Sequence, residues 1–217
     1  MTSATETVCD ICSHSLIGST PPLWRCPACN AVPRQRHFLW LFKSGKLRPD
    51  HEPGDALCVA EDRQNRERLV AHYKITSVAL YGRERRAHLN GVDVRDLSAF
   101  ADDAFDLVTA IGVFDYVDDA ASAFISVARV LRPGGLFLLH IMPHLLRNTN
   151  AAPTLKGTNP SSDTWFAYLP PGVPISTYYY GMEWIVKALG DVGLSTEVME
   201  RREAGSAHHW FLARRPL

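Results

Sequence analysis

Cys9 and Cys12 form one Cys-x-x-Cys clip, and Cys26 and Cys29 form a second, with thirteen residues between the two. A hairpin joining two such clips can close a tetrahedron of thiolates around one ion. Four thiolates leave no open position for water, so the spacing points to a structural zinc site and places the chemistry elsewhere. A disulfide framework and an iron–sulfur cluster are the other arrangements this spacing admits. Cys58 stands apart in the apolar run Ala56–Ala60, where a buried, inert thiol is the expected state.

The chain has 217 residues, and 46% of them are hydrophobic, enough for one ordinary domain with a sizeable core beyond the cysteine module. The formal net charge is zero, which argues against a protein whose main task is to coat nucleic acid. The charge is uneven, however. No acid occurs from Ile11 to Pro49, where Arg25, Arg34, Arg36, Lys43, Lys46 and Arg48 all fall. That segment reads as a patch for an anionic ligand or as a solvated basic face. There is no signal-like N-terminus, and no apolar run approaches the roughly 18 residues needed to span a bilayer. A cytoplasmic protein with no membrane contact is the expectation.

The elements that must position any site follow from periodicity. Pro33 opens a helix through Phe42 with a wide apolar stripe. Lys46–Asp55, with Pro49, Pro53 and Gly54, reads as a linker. Short apolar strands are expected over Asp55–Ala60, Ile75–Tyr81, Leu89–Asp93, Phe105–Gly112 and Leu136–Met142. Helices alternate with them over Asp62–Tyr73 and after Asp118 and Asp119, where acids favour a helix N-terminus. A helix over Gly181–Gly190 and strands over Ser195–Glu200 and His208–Arg214 finish the chain. Such alternation implies a parallel sheet covered on both faces. The Pro-rich stretch His144–Ser176 breaks the rhythm and reads as a lid or substrate loop. The organisation expected is a zinc ribbon at 1–32, a linking helix and linker at 33–54, and a main domain at 55–217 whose lid lies at about 143–177.

Three segments, Phe105-Asp106-Leu107-Val108, Val113-Phe114-Asp115-Tyr116-Val117 and Val130-Leu131-Arg132-Pro133-Gly134-Gly135-Leu136, resemble the class I S-adenosylmethionine-dependent methyltransferases. The order fits that family over Asp55–Ile141, and the last two strands fit its closing antiparallel hairpin. Cys26-Pro27-Ala28-Cys29-Asn30 followed by Arg34 and Arg36 looks like a subgroup carrying an N-terminal zinc ribbon and an atypical, glycine-poor first motif. The resemblance implies a Rossmann-like methyltransferase fold, an α/β doubly wound and mostly parallel sheet, preceded by the ribbon. It also implies two bound groups, S-adenosylmethionine and structural zinc.

The same resemblance assigns site residues. Ala60, Glu61 and Asp62 stand where the family has a glycine-rich loop, and Ala79 stands where it has an acid for the ribose. Arg34 and Arg36 would add cationic contacts to the cofactor's carboxylate. Asp93 or Asp96 would approach the adenine, and Ala110, Ile111 and Gly112 would line the crevice at the end of the fourth strand. Asp115, Tyr116 and His144 are the candidates for orienting or deprotonating the acceptor. Asp93, Asp96, Asp115 and Tyr116 fit ordinary turn, cap and packing roles as well. His140 reads as a core histidine, and His208 and His209 point to opposite faces of a strand. Tyr178, Tyr179, Tyr180, Trp165 and Phe166 would wall an aromatic pocket or pack under the long loop.

The functional expectation is methyl transfer from S-adenosylmethionine to oxygen, nitrogen or carbon of a small molecule, as in secondary metabolism. Two alternatives stand beside it: a methyltransferase-like fold that binds a ligand or partner or catalyses another reaction, and an RNA methyltransferase gripping phosphate through Arg25–Arg48. Nothing in the sequence identifies the acceptor or the oligomeric state.

Overall fold

The computed structural model describes residues 8–16, 25–49, 52–60, 63–80, 87–160, 174–203 and 206–217. Its elements run α1 (Pro33–Lys43), β1 (Gly54–Val59), α2 (Arg63–Leu69), β2 (Tyr73–Ala79), β3 (Leu89–Asn90), β4 (Phe105–Ile111), α3 (Ala120–Val130) and β5 (Leu131–His140). Then follow β6 (Leu146–Arg147), β7 (Thr154–Pro160), β8 (Pro174–Gly181), α4 (Met182–Asp191), β9 (Ser195–Glu203) and β10 (Ser206–Arg214).

The main sheet has seven strands in the order β3-β2-β1-β4-β5-β10-β9. Its first five strands are parallel, and β10 runs antiparallel to both β5 and β9. This is the Rossmann-like methyltransferase fold, and the continuous apolar runs explain it. Leu57-Cys58-Val59 and Phe137-Leu138-Leu139 are buried on both faces, as strands sandwiched between helices must be. One face packs Phe124, Val127, Ile185 and Leu189 from α3 and α4 against Val108, Phe137 and Leu139. The other packs Phe38 and Leu41 from α1 and Leu69 from α2 against Leu107, Leu136, Leu138 and Trp210. Helix α1 thus covers the main sheet as well as linking to it.

The stretch expected as an irregular lid carries strands. β6, β8 and β7 form a second, three-stranded sheet, with β6 parallel and β7 antiparallel to β8. Pro160 and Pro174 face each other at the end of the β7–β8 ladder, where a missing N–H costs least. Trp165 and Phe166 lie outside the described residues, as do Glu61 and Asp62. The third main-sheet strand is shorter than expected, because Asp93 turns the chain by accepting from the Arg95 N–H at 2.9 Å.

At the N-terminus the two clips have the same backbone shape. Cys9 N–H donates to the His14 carbonyl and Ser13 N–H to the Cys9 carbonyl, both at 2.8 Å. Cys26 with Ala31, and Asn30 with Cys26, repeat the pattern at 2.8 Å. Ser13 and Asn30 take φ of 60° and 61°, the left-handed step that brings each pair of sulfurs together.

Candidate functional site

The strand order reverses between β1 and β4, so the crevice of this fold opens at their carboxyl ends. Ala60, the residue after β1, has φ of 48°, and its N–H donates to the Val78 carbonyl at 2.8 Å. A left-handed alanine costs about 1–2 kcal/mol, held here where the resemblance places a glycine. Ala60→Gly is expected to raise stability by about 1 kcal/mol in urea unfolding, relief of strain outweighing the freer unfolded chain.

On the other side of the crevice, Ala110 and Ile111 are buried at the end of β4. Gly112 follows with φ of 69° and donates its N–H to the His140 carbonyl at 3.0 Å. The backbone then enters a short 3-10 turn, Phe114–Tyr116. Phe114 anchors it in the core, stacked on Phe124 at 5.1 Å, and Asp119 caps α3 by accepting from the Ser122 N–H at 3.1 Å. Between these two anchors lies Asp115, only 1% exposed. One carboxyl oxygen accepts from the Met142 N–H at 3.0 Å, and the other lies 3.7 Å from where a Cβ would stand on Gly112. Burial raises its pKa to about 7, against the lowering pull of that N–H and of the Arg34 charge. A buried carboxyl with that pKa, set against Gly112 at the end of β4, can accept or give a proton near neutral pH.

The other expected site residues distribute differently. Tyr116 is 39% exposed beside Asp115. His144 is exposed in the turn after β5, its pKa lowered by partial burial and by Lys156 and Arg147. Arg34, in the first turn of α1, is half-buried, and its charge is felt by both Asp115 and His140. That places it towards the β4–β5 side of the sheet. Arg36 is not brought to the crevice. It is fully buried and bonded to the Glu203 carboxylate and the Ala31 carbonyl, so its donors face inward. Asp93 is tied to Arg95 at 2.6 Å, and Asp96 accepts from the Ser98 N–H at 3.0 Å. Both sit in a tight bridge past β3 and keep the turn roles the sequence also allowed.

Sequence reasoning missed a buried polar cluster under α1. His37 Nε2 donates to Glu203 at 2.7 Å beside the Arg36–Glu203 pair. His37 stands four residues from both Pro33 and Leu41 on the buried face of α1, a spacing that could have marked it. His140 Nε2 lies 3.2 Å from His208 Nδ1, and the His140 ring is 4.5 Å from Trp210. Among the described residues His37 Nδ1, His140 Nδ1 and Trp210 Nε1 have no hydrogen-bond partner. His208 and His209 do face opposite ways, the first buried and the second beside Glu200 at 3.2 Å.

The four clip sulfurs lie within 4.8 Å of one another. Cys9–Cys29 and Cys12–Cys26 are 3.6 and 3.5 Å apart. Tetrahedral zinc–thiolate bonds require sulfur separations of roughly 3.8 Å, so the donor set fits zinc.

Residues 60–139 match the family model described as a methyltransferase domain. No curated protein sequence matches the chain. Among solved structures, the chain resembles the Burkholderia thailandensis 1,6-didemethyltoxoflavin-N1-methyltransferase with bound 1,6-didemethyltoxoflavin and S-adenosylhomocysteine. The TM-score is 0.57 at 13% identity over 85% of this chain and 79% of that one. An S-adenosylmethionine-dependent methyltransferase from Mesorhizobium loti gives 0.58 at 16% identity, over 82% and 98%. The [4+2]-cyclase SpnF gives 0.59 at 16% identity, over 84% and 82%. Residues 60–139 thus match a methyltransferase-domain model, and the chain shares its fold with these structures.

Proposed function

We propose that this methyltransferase-fold chain transfers the methyl group of S-adenosylmethionine to an oxygen, nitrogen or carbon of a small molecule. The observation that carries the reading is Asp115, a buried carboxyl with a pKa of about 7 against Gly112 at the switch-point crevice. Bound S-adenosylmethionine supplies an activated methyl group on a sulfonium. The backbone at Ala60–Asp62 and the glycine turn at Gly112 would hold it, with Ala110 and Ile111 walling the crevice between them. Asp93 and Asp96 close the side beyond β3. Asp115 takes the proton the acceptor loses, and rate comes chiefly from holding the two reactants in line.

The test is calorimetric titration of the zinc-loaded protein with S-adenosylmethionine and S-adenosylhomocysteine. Micromolar binding supports the reading. Absence of both heat and thermal shift at millimolar ligand sinks it.

A second reading keeps the cofactor as a spectator in another reaction. It is favoured by Ala79, which ends β2 where an acid would hold the ribose, and by the likeness in fold to the [4+2]-cyclase SpnF. Cofactor binding with no methylated product from any acceptor would select it.

The clips we assign to one structural zinc. Metal analysis of the purified protein should give one zinc per chain, and Cys26→Ser should lower that to well under one. A Cys26→Ser protein that retains full zinc would reject the assignment.

A further inference from the structure

The three-stranded sheet beside the crevice carries cations with no acids to answer them. Residues 142–160 and 174–182 contain no Asp or Glu, while His144, Arg147 and Lys156 all fall there. Among the described residues neither Arg147 nor Lys156 has an ion-pair partner. The Arg147 guanidinium lies 3.9 Å over the Tyr179 ring, and Lys156 Nζ is 5.9 Å from the same ring. Arg147 Nη1 donates to the carbonyls of His144 and Leu146 at 2.9 and 3.0 Å. The ring and the two carbonyls therefore fix the plane of the guanidinium by one edge. Its Nε and Nη2 edge keeps its donors, already aligned as the fork that matches two oxygens of a carboxylate or phosphate.

The position bears on the reaction. Leu146 and Arg147 pair with Tyr180 and Gly181 of β8. The Tyr180 hydroxyl donates to the Val117 carbonyl at 2.5 Å, two residues past Asp115. The chain reaches Arg147 five residues after Met142, whose N–H holds Asp115. The platform and the candidate base thus share one framework. The His144 pKa, lowered by partial burial and by Lys156 and Arg147, registers the positive field between them.

We propose that the free edge of Arg147, laid flat on Tyr179 with Lys156 beside it, receives a carboxylate or phosphate group carried by the methyl acceptor. Resting on the methyl-transfer reading, the assignment narrows the substrate class to anionic small molecules. A guanidinium whose plane is already fixed loses little freedom on binding, so the fork contributes more than a mobile surface charge would.

The test uses zinc-loaded protein saturated with S-adenosylhomocysteine, and the probes benzoate, phenyl phosphate and benzyl alcohol. The readout is the Arg147 Nε–H resonance in proton–nitrogen correlation spectra, assigned by its disappearance in Arg147→Lys. Benzoate or phenyl phosphate should move it, and benzyl alcohol should not. The tighter of the two anions tells carboxylate from phosphate. Arg147→Lys keeps the charge but loses the fork, and should weaken binding about tenfold as followed on the ligand. Lys156→Gln should weaken it about threefold. The proposal is overturned if neither anion moves the resonance, if benzyl alcohol binds as well, or if Arg147→Gln binds the anions unchanged. Failure of S-adenosylhomocysteine to bind while benzoate still moves Arg147 would remove the methyl-transfer reading and leave the anion site standing.

Discussion

Asp115→Asn should lower kcat by about 10²- to 10⁴-fold while the protein becomes more stable above neutral pH. Two consequences of one buried carboxyl meet in that variant. In the wild type, the ionised form accepts the proton, so activity should rise with pH and level off above about 7; the variant should be flat. The stability effect runs the other way. The folded pKa is raised from 3.8 to about 7, so the group's contribution to stability is complete below 3.8 and is lost as pH rises through 7. The loss reaches at most about 4 kcal/mol. Asparagine is uncharged throughout and can still accept the Met142 N–H. Urea unfolding of both proteins from pH 4 to pH 8 should show the variant's advantage growing with pH. A variant with wild-type turnover would remove Asp115 from the chemistry. A stability difference independent of pH would remove the raised pKa.

Glu203→Ala should cost about 3–5 kcal/mol, the largest loss of stability expected from one substitution here. It strands Arg36, a guanidinium with no exposed surface, and takes away the acceptor of His37. Adding Arg36→Met should restore a good part of the loss, since an uncharged pair costs less than one buried charge. The same cluster sets the acid limit. Burial opposes ionisation of Glu203, but His37 and Arg36 outweigh it and lower its pKa. Its contribution is therefore present above the ordinary carboxylate range and lost as pH falls through the lower folded value. His208 is lowered from 6.5 to about 4 by burial and by neighbouring cations. Its contribution is full above pH 6.5 and gone near pH 4, at most about 3 kcal/mol. His37 and His140 shift in the same direction. In the Asp115→Asn background, where the opposing slope of that carboxyl is gone, stability should decline from pH 6.5 downwards, and a flat profile to pH 5 in equilibrium unfolding would contradict these assignments.

The sheet was legible because buried parallel strands leave continuous apolar runs, as in Phe137-Leu138-Leu139, and because Asp119 marks the start of α3. The clips were legible because spacing alone confines four thiols. The three-stranded sheet was hidden by its prolines, which read as breakers although they sit at ladder ends. The Arg36–Glu203 pair spans 167 positions, and no periodicity records a partner that distant. At Asp115 the rival reading was a helix cap, and at Tyr116 a packed aromatic. The cap of α3 is Asp119, while the Asp115 carboxyl holds the Met142 N–H and Tyr116 is 39% exposed.

Helix α1 has a consequence for anyone wishing to recombine or trim this chain. Phe38 and Leu41, together with Leu69 of α2, roof the stretch of sheet formed by Leu107, Leu136, Leu138 and Trp210. Forward of it, Lys43 holds the Asp10 carbonyl at 3.0 Å, and Arg201 of β9 holds the Asp10 carboxylate at 2.8 Å. The cysteine module is riveted at both its helix and its strand. It should not behave as an exchangeable cassette: a graft that swaps residues up to Lys43 strips the roof from a hydrophobic floor, and such chimeras should come out of cells as inclusion bodies.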